Sequence, residues 1–540
     1  MKLRAKILGC LLLAVATYNH NLLAQNGKGQ QTYSLEIFRE ETEEILDIEG
    51  YTYFANPSVR NELYGWNRSN IRAGYGSSKG GIVPRLQDVA RYAPTRDNVV
   101  SLHKQEGNGY RGAEAAADMA QNISDSLTTW GNVNYQHGER LDAQWNETSD
   151  YGIVAPYVVA DTVCGSLKRE AYGFQAGFSR EAKHFNYGVQ IGYSSSIEHR
   201  ESDPRPKNNS LLAKASLGIS RSFSDDLGVG LYIQLNKYAQ EQNIKFFNAY
   251  GGTTIIYQME GLGNTYHRFS QSNDDAAYKG RGVCGGLTLK VGGKTKIGIQ
   301  TGHSKIEKLL PDKTNIVINT KETNELTIDG CNTQQCELIF SNIRTHLRSK
   351  LAKVGGTEIV YGTNVGNYKQ IAEVKNYSEK SIHSVGDVCI SFANPLLHKV
   401  DIIFRLEHDF VHTKHSGSGS DVKTSPLMRT LIFRTAHTMN TKPYMFSADV
   451  FARGRSENKH KKIDIRPSQV FQLDYDMLTA DYAHQTSRLM SWGFRPRVDY
   501  FDIKHIRSIY AVLSYEMTAE KTSGVKDIHH AISAHAGISF

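Results

Sequence analysis

Along much of the chain, apolar and polar side chains alternate with period two. That is the repeat of a strand with one face in a greasy medium and the other in a wet one. From Leu227 the odd positions read Leu227, Val229, Leu231, Ile233 and Leu235, against Gly228, Gly230, Tyr232, Gln234 and Asn236. The same rhythm sets Tyr172, Phe174, Ala176 and Phe178 against Gly173, Gln175, Gly177 and Ser179, and Tyr187, Val189, Ile191 and Tyr193 against Gly188, Gln190, Gly192 and Ser194. It returns at Val400, Ile402, Phe404 and Leu406, whose intervening positions include Asp401, Arg405 and Glu407. From Met490 to Tyr500 the apolar face faces Ser491, Gly493, Arg495, Arg497 and Asp499. Runs of about nine to thirteen residues suit a tilted strand crossing a bilayer better than the five or six usual in soluble sheets. Short turns, as at Glu181–His184, Ser224–Asp226, Gly292–Gly293, Asn394–Leu397 and Asn440–Lys442, alternate with long polar stretches at 196–209, 239–280, 305–344, 412–426 and 455–487. Membrane barrels segregate their connections in this way, with short turns inside and long loops outside.

The expected fold is therefore all-β: a transmembrane antiparallel β-barrel of about 16 strands (14–18). Strands are predicted near 128–137, 170–180, 185–195, 211–223, 227–238, 281–291, 294–304, 345–362, 368–377, 383–393, 399–411, 427–438, 442–454, 488–500, 506–517 and 530–540, and Leu63 to Gly76 could add a pair. The final segment alternates Ile532, Ala534, Ala536, Ile538 and Phe540 against Ser533, His535, Gly537 and Ser539. The last strand must pair with the first to remove two open edges. Phe540 and Ile538 on that strand resemble the signal read by the barrel assembly machinery.

The start of the chain is different. Lys2, Arg4 and Lys6 precede an apolar run from Ile7 to Ala16, too short to span a bilayer and suited to an export signal cleaved after Ala24. Domains are expected at 1–24 (signal peptide), 25–127 (a periplasmic or plug segment) and 128–540 (the barrel). Ser34 to Glu49 reads as an acidic helix, either solvated or docking a basic partner, and Ala113 to Ala120 as a short helix. Ile7-Leu8-Gly9-Cys10 is similar to a lipoprotein box, but Cys10 lies inside the apolar run with little apolar chain before it.

Composition narrows the classes further. A mean hydropathy of −0.45 excludes a bundle of membrane helices but not a barrel, of whose strands only alternate residues meet lipid. The formal charge is +8, three of whose cations sit in the leader, and it does not point to nucleic acid. Cys331 and Cys336, in the polar stretch 305–344, are candidates for a loop disulfide in an oxidising compartment; Cys389 reads as an apolar-face thiol. His408, His412 and His415 would be spread too far along a strand to share a metal. No metal or cofactor is expected. Arg453, Arg455, Lys459, Lys461 and Lys462 form a basic run entering a predicted outer loop, either solvated or able to contact phosphate. Neither Gly-x-Ser-x-Gly, a Walker A run nor His-Glu-x-x-His occurs, and the expectation is that the protein is not an enzyme.

Several stretches carry a resemblance. The Ala24-Gln25 junction, Trp130-Gly131-Asn132-Val133-Asn134-Tyr135, Ala155-Pro156-Tyr157-Val158-Val159-Ala160-Asp161 and Glu170-Ala171-Tyr172-Gly173-Phe174 resemble the uncharacterised outer-membrane β-barrel proteins of Bacteroidota. The resemblance implies a barrel in the cell outer membrane and assigns no catalytic residue. Partners expected with it are outer-membrane lipids and lipopolysaccharide, the barrel assembly machinery, and a neighbouring transporter or surface lipoprotein. Asp401, Arg405, Arg495, Arg497 and Asp499 on inward faces require a wet or polar-filled lumen, since burying them dry would be costly. Two functions fit: a channel or accessory component of nutrient uptake, or a non-conducting structural or surface-binding barrel that holds a partner through its outer loops. An outer-membrane enzyme trails both.

Overall fold

The computed structural model describes residues 51–540 except 65–66, 80–81, 84–98, 101–103, 248–254, 267, 269–274, 337–340, 363–367, 395–397, 439–442, 457, 459–460, 467–471, 502, 504–505 and 523–524. The leader, the 34–49 helix, Lys459 and parts of two predicted turns lie outside the described residues. Eighteen strands form the wall: β1 Arg68–Lys79, β2 Gly109–Ser124, β3 Leu127–Ala143, β4 Gly165–Glu181, β5 Asn186–His199, β6 Arg205–Ser224, β7 Leu227–Lys245, β8 Ala276–Val291, β9 Thr295–Leu310, β10 Ile316–Cys336, β11 Ser341–Tyr361, β12 Gln370–Asn394, β13 His398–His415, β14 Leu427–Thr438, β15 Tyr444–Arg455, β16 Arg488–Tyr500, β17 Ser508–Thr522 and β18 Val525–Ser539. Each pairs antiparallel with its neighbours in sequence, and β18 pairs with β1, so the sheet closes into a ring. At the closure Ile71 faces Ile538 and Ala73 faces Ala536, and Phe540 N donates to Ser69 O at 2.8 Å.

Every wall strand thus has a neighbour on both sides, which is what lets a sheet stand in hydrocarbon with its backbone groups satisfied. The outer surface bears that out: Leu217, Leu231, Leu235, Leu347, Phe404, Val450, Met490 and Ile532 all project outward and are more than half exposed. The inward positions of the wall strands include Ser216, Thr288, Asp329, Asp401 and Asp499, which are buried. Among the described residues no helix is long and apolar enough to cross a membrane.

The structure corrects the expected strand list in three places. The strands β2 and β10 were not expected, β1 overlaps the Leu63 to Gly76 segment that could add to the count, and the segments at 368–377 and 383–393 are one strand, β12, so the count is eighteen, the upper end of the expected 14–18. The barrel begins at Arg68, not at 128. The segment Ala113–Ala120 is part of β2 rather than a helix. Alanine stands on both faces of β2, at Ala113, Ala115 and Ala117 outward and Ala116 and Ala120 inward, which removes the contrast that alternation needs. In β10 the apolar outward pair near the middle is Leu326 and Ile328; the 21-residue strand extends well past it, and Asn319 to Glu325 is polar throughout.

The turns after β2, β4, β6 and β8 gather at one end with the start of β1; the longer connections 144–164, 246–275 and 456–487 leave the other end. At that loop end Ser420–Thr424 pairs with β13, and Lys462–Asp464 pairs with Ser420–Thr424, extending the wall locally. The lipid-facing reading makes one quantitative statement: Leu231→Arg, at mid-belt, is expected to destabilise the barrel by about 2–4 kcal/mol in urea refolding into lipid vesicles. Gln234→Arg, one face over, is expected to cost much less.

Candidate functional site

The lumen is occupied from both ends. At the turn end lies the segment 51–64. Asn56 shapes it: its Oδ1 accepts from Ser58 N (3.0 Å) and Ser58 Oγ (2.8 Å), and Pro57 starts the short 3₁₀ helix Pro57–Leu63. Proline at the first helical position leaves no N–H unsatisfied and presets φ. Tyr53, Phe54, Val59, Leu63 and Tyr64 pack with Ala120 and Trp130 of the wall into a small apolar core.

Polar contacts fix the segment to strands halfway round the ring. Asn56 Nδ2 donates to Thr288 Oγ1 (3.2 Å), Ser179 Oγ to Ser58 O (3.0 Å), and Thr52 N to Asp329 Oδ2 (3.2 Å). Lys296 bridges to Glu62 (3.0 Å) and lies 4.6 Å from the Phe54 ring centroid. The approach is so close that two wall positions admit only glycine. A Cβ on Gly298 would sit 2.5 Å from Tyr53 N, and one on Gly188 would sit 2.6 Å from Ser58 N.

A chain of contacts leads from this segment into the lumen. Asp329, which accepts from Thr52, lies 3.4 Å from His346 Nε2; His346 Nδ1 lies 3.2 Å from Asp387; and Arg405 Nε donates to Asp387 at 2.7 Å. The ring of Tyr51 stacks on His346 with centroids 4.1 Å apart.

The wall not covered by 51–64 holds most of the inward charges expected from sequence. Arg497 donates to Asp499 (2.7 Å), with its guanidinium 4.1 Å from the Tyr510 ring centroid. Arg434 donates to Asp449 (3.0 Å) and lies 4.0 Å from Asp401; Arg495 lies 3.9 Å from Asp449 and Arg453 3.9 Å from Glu516. Arg72 of β1 adds a bridge to Asp118 at 3.0 Å. Asp401, Arg405, Arg495, Arg497 and Asp499 therefore all face the lumen, each beside an opposite charge. Such pairing makes partly dry charge tolerable.

At the loop end the connection after β3 folds inward across the mouth. Its short helix Tyr151–Val154 and its strand Val159–Ala160 pack with Trp145, Tyr257, Met259, Tyr278 and Met477 in a second apolar core. Tyr257 and Gln258 of the 246–275 connection pair with Ala160 and Val159. Wall groups on the far side hold the crossing loop: Tyr278 OH donates to Tyr157 O (2.8 Å), Lys308 Nζ to Val158 O (2.9 Å), Lys321 Nζ to Ile153 O (2.8 Å), and Tyr157 OH to Asn376 Oδ1 (2.9 Å). Buried charge is paired here too: Arg200 bridges Glu147 (2.8 Å) and Asp161, and Arg140 bridges Glu198 (2.7 Å). Glu260 accepts from Asn319 at 2.6 Å.

Three sequence expectations fail here. Cys331 and Cys336 lie in one strand, β10, at the turn end, and Cys331 is a free thiol. Five extended residues span about 16 Å, beyond the reach of a disulfide. Cys389 faces the lumen, opposite Ile403, rather than lipid. The basic run does not form one patch: Arg455 is buried, donating to Ser487 O (3.1 Å), Arg453 faces the lumen, and Lys462 bridges Asp421 (2.8 Å). His408 and His412 contact Ser425 and Asp421 separately, and the described residues hold no cluster of three metal-ligating groups. The crossing loop itself was missed. Its signal was the apolar run Val158-Val159-Ala160 standing alone between two strands.

The chain belongs to a family of unknown function, DUF6850, whose model matches residues 101–540. No curated protein matches it. Three solved structures similar to this chain illustrate the range of likeness. The ferric-catecholate import receptor Fiu from E. coli K12 has 8% identity and a TM-score of 0.37, covering 88% of this chain and 82% of its own. BauA, the ferric preacinetobactin receptor of Acinetobacter baumannii, has 7% identity and a TM-score of 0.39, covering 88% and 80%. A bacterial polysaccharide outer membrane secretin has 8% identity and a TM-score of 0.31, covering 87% and 98%.

Two outcomes follow from the geometry. Gly298→Val should unseat 51–64 without opening the wall: a cysteine placed at Ser58 becomes reactive to a bulky maleimide, while heat-modifiable migration on SDS gels stays unchanged. The second concerns pH. Burial, then the nearby Glu358, push the Glu260 carboxyl up to about 8 from its ordinary value of 4.5. The seated loop thus holds a neutral Glu260 that would ionise once released to water. Seating is fully favoured below 4.5 and weakens as pH rises to 8. Glu147, raised by burial and then by Asp161, acts in the same direction. Hydrogen exchange at 257–261 should speed up over that range beyond the intrinsic rate, and Glu260→Gln should reduce the slope; an unchanged slope would sink the assignment.

Proposed function

We propose that this chain is an outer-membrane barrel of the kind Bacteroidota carry, an uptake component whose lumen is shut at rest and opens when 51–64 is displaced. The loop end faces outward and the turn end the periplasm, following the usual segregation of connection lengths. The observation that carries the reading is the uncovered wall. Arg72, Arg434, Arg495 and Arg497 with Asp118, Asp449 and Asp499 form a charged strip facing the lumen. A solid structural barrel gains nothing from such a strip, since replacing buried ion pairs by apolar packing is often neutral or stabilising. A hydrated path for polar solutes requires one. Insertion through the barrel assembly machinery, with Phe540 and Ile538 on the closing strand, and partnership with a neighbouring transporter or surface lipoprotein belong to the same proposal. No catalysis is assigned.

One observation favours a non-conducting barrel instead: the crossing loop is tied to β8, β9, β10 and β12 and backed by a dry core. Planar-bilayer recording separates the two. The intact protein should be nearly silent, and removal of 51–64 should give steady single-channel conductance that falls when Arg495 and Arg497 are neutralised. If the truncated protein keeps its heat-modifiable fold and remains silent, even after proteolytic nicking of the 144–164 loop, the uptake reading is wrong and the non-conducting one stands.

A further inference from the structure

On the outer face, the step from greasy belt to water is not uniform. On β7, β8, β11 and β12 it takes two residues: Leu235 is followed by Lys237, Val283 is preceded by Arg281, Leu351 is followed by Lys353, and Ile382 is preceded by Lys380. Each first residue is exposed to the surround. Two residues on one face are about 6.6 Å of strand, so each cation sits at the rim of the belt, on its loop side.

The registers place these cations against each other. Lys237 is directly opposite Arg281, and Arg281 is directly opposite Lys305. Lys353 is directly opposite Lys380. Like charges in directly opposed cross-strand positions are destabilising. Lys305 is relieved by Glu307 at 3.0 Å and stands opposite Glu322. Lys237, Arg281, Lys353 and Lys380 make no ion pair with a described residue, although Lys279 adds a further cation on β8. On β2 to β4 the cations near the same rim are matched instead, Arg111 with Glu139 at 2.6 Å and Lys168 with Glu201 at 2.7 Å, while a single further pair of opposed cations, Arg488 and Lys521, joins β16 and β17.

We propose that the β7–β12 sector is a binding site for the phosphate groups of a phosphorylated glycolipid of the outer leaflet, lipopolysaccharide, whose acyl chains lie on Leu231, Leu235, Val283, Leu351 and Ile382. The occupant follows from two properties that the sector combines. A free phosphate would have no use for the apolar strip immediately below the cations. A soluble acidic protein would have to reach cations at a belt already covered by acyl chains. A molecule with anionic head and several tails matches both, and its phosphate oxygens accept charge-assisted hydrogen bonds from guanidinium and ammonium groups. Paired like charges, unfavourable alone, become favourable when one dianion sits between them.

The inference rests on the outer-membrane reading, and its test is arranged to be independent of conductance. The full mature chain, purified in non-ionic detergent, is titrated with diphosphorylated lipid A, with dephosphorylated lipid A and with phosphatidylglycerol, and binding is read by native mass spectrometry and thermal shift. Diphosphorylated lipid A should bind and raise the unfolding temperature. The Lys237→Ala/Arg281→Ala and Lys353→Ala/Lys380→Ala variants should each weaken it by about tenfold, the scale of one or two lost charge-assisted contacts. Lys168→Ala, a matched cation on β4, should leave it unchanged. Equal binding of the dephosphorylated lipid, or equal loss in Lys168→Ala, would overturn the site. Preference for phosphatidylglycerol would overturn the choice of glycolipid. Membrane fractionation of cells making the same variants reports separately on whether the protein resides in the outer membrane at all.

Discussion

Everything in this protein depends on the hydrogen-bonded seam between its first and last wall strands. A sheet placed in hydrocarbon cannot leave an edge, because each unsatisfied backbone group there costs several kcal/mol. Ten residue pairs from Asn70↔Ser539 to Lys79↔His530 remove both edges together. Once that ring exists, the outer face must be apolar, and the inner face is free to be anything. The chain uses this freedom to put charge inside, and the rest of the structure manages that charge.

It does so in two ways. Over one sector of the inner wall, opposite charges stand beside each other on the strands themselves. Over the other, chain is brought in to cover the wall: 51–64 at one end and the crossing loop at the other. The covering segments follow the same rule as the wall. Their apolar residues collect into small cores around Phe54 and Val158, while their backbone carbonyls and carboxylates receive donors from the strands. The contact chain Thr52–Asp329–His346–Asp387–Arg405 joins the two sectors, so the covered and uncovered walls are electrostatically one body.

How much of this was legible in the sequence depended on contrast between faces. Where large apolar residues alternate with polar or small ones, as in β4, β5, β7 and β16, the strand and its orientation read directly. Where alanine occupies both faces, as in β2, or where a strand runs beyond the belt, as in β10, the two-residue rhythm fades and the strand was missed. The inward orientation of Asp401, Arg405, Arg495, Arg497 and Asp499 was readable because their neighbours are Phe404, Leu406, Phe494 and Val498. The partners of those charges were not, since Arg434 and Asp449 meet through register, which alternation alone does not fix. Cys331 and Cys336 misled for the same reason: polar surroundings looked like loop but belong to a strand. The crossing loop was invisible as such, because its partners lie on strands more than a hundred residues later.

That last distance has a consequence for how the molecule is made. The crossing loop follows β3, yet the groups that hold it stand on β8, β9, β10 and β12. If the strands join in order from the amino end, the carbonyls of Ile153, Tyr157 and Val158 must stay hydrated until β8, β9 and β10 have been laid down. Water leaves the mouth late, after the wall strands that replace it have arrived. Dehydration of the interior is thus a closing act of biogenesis rather than its driving force.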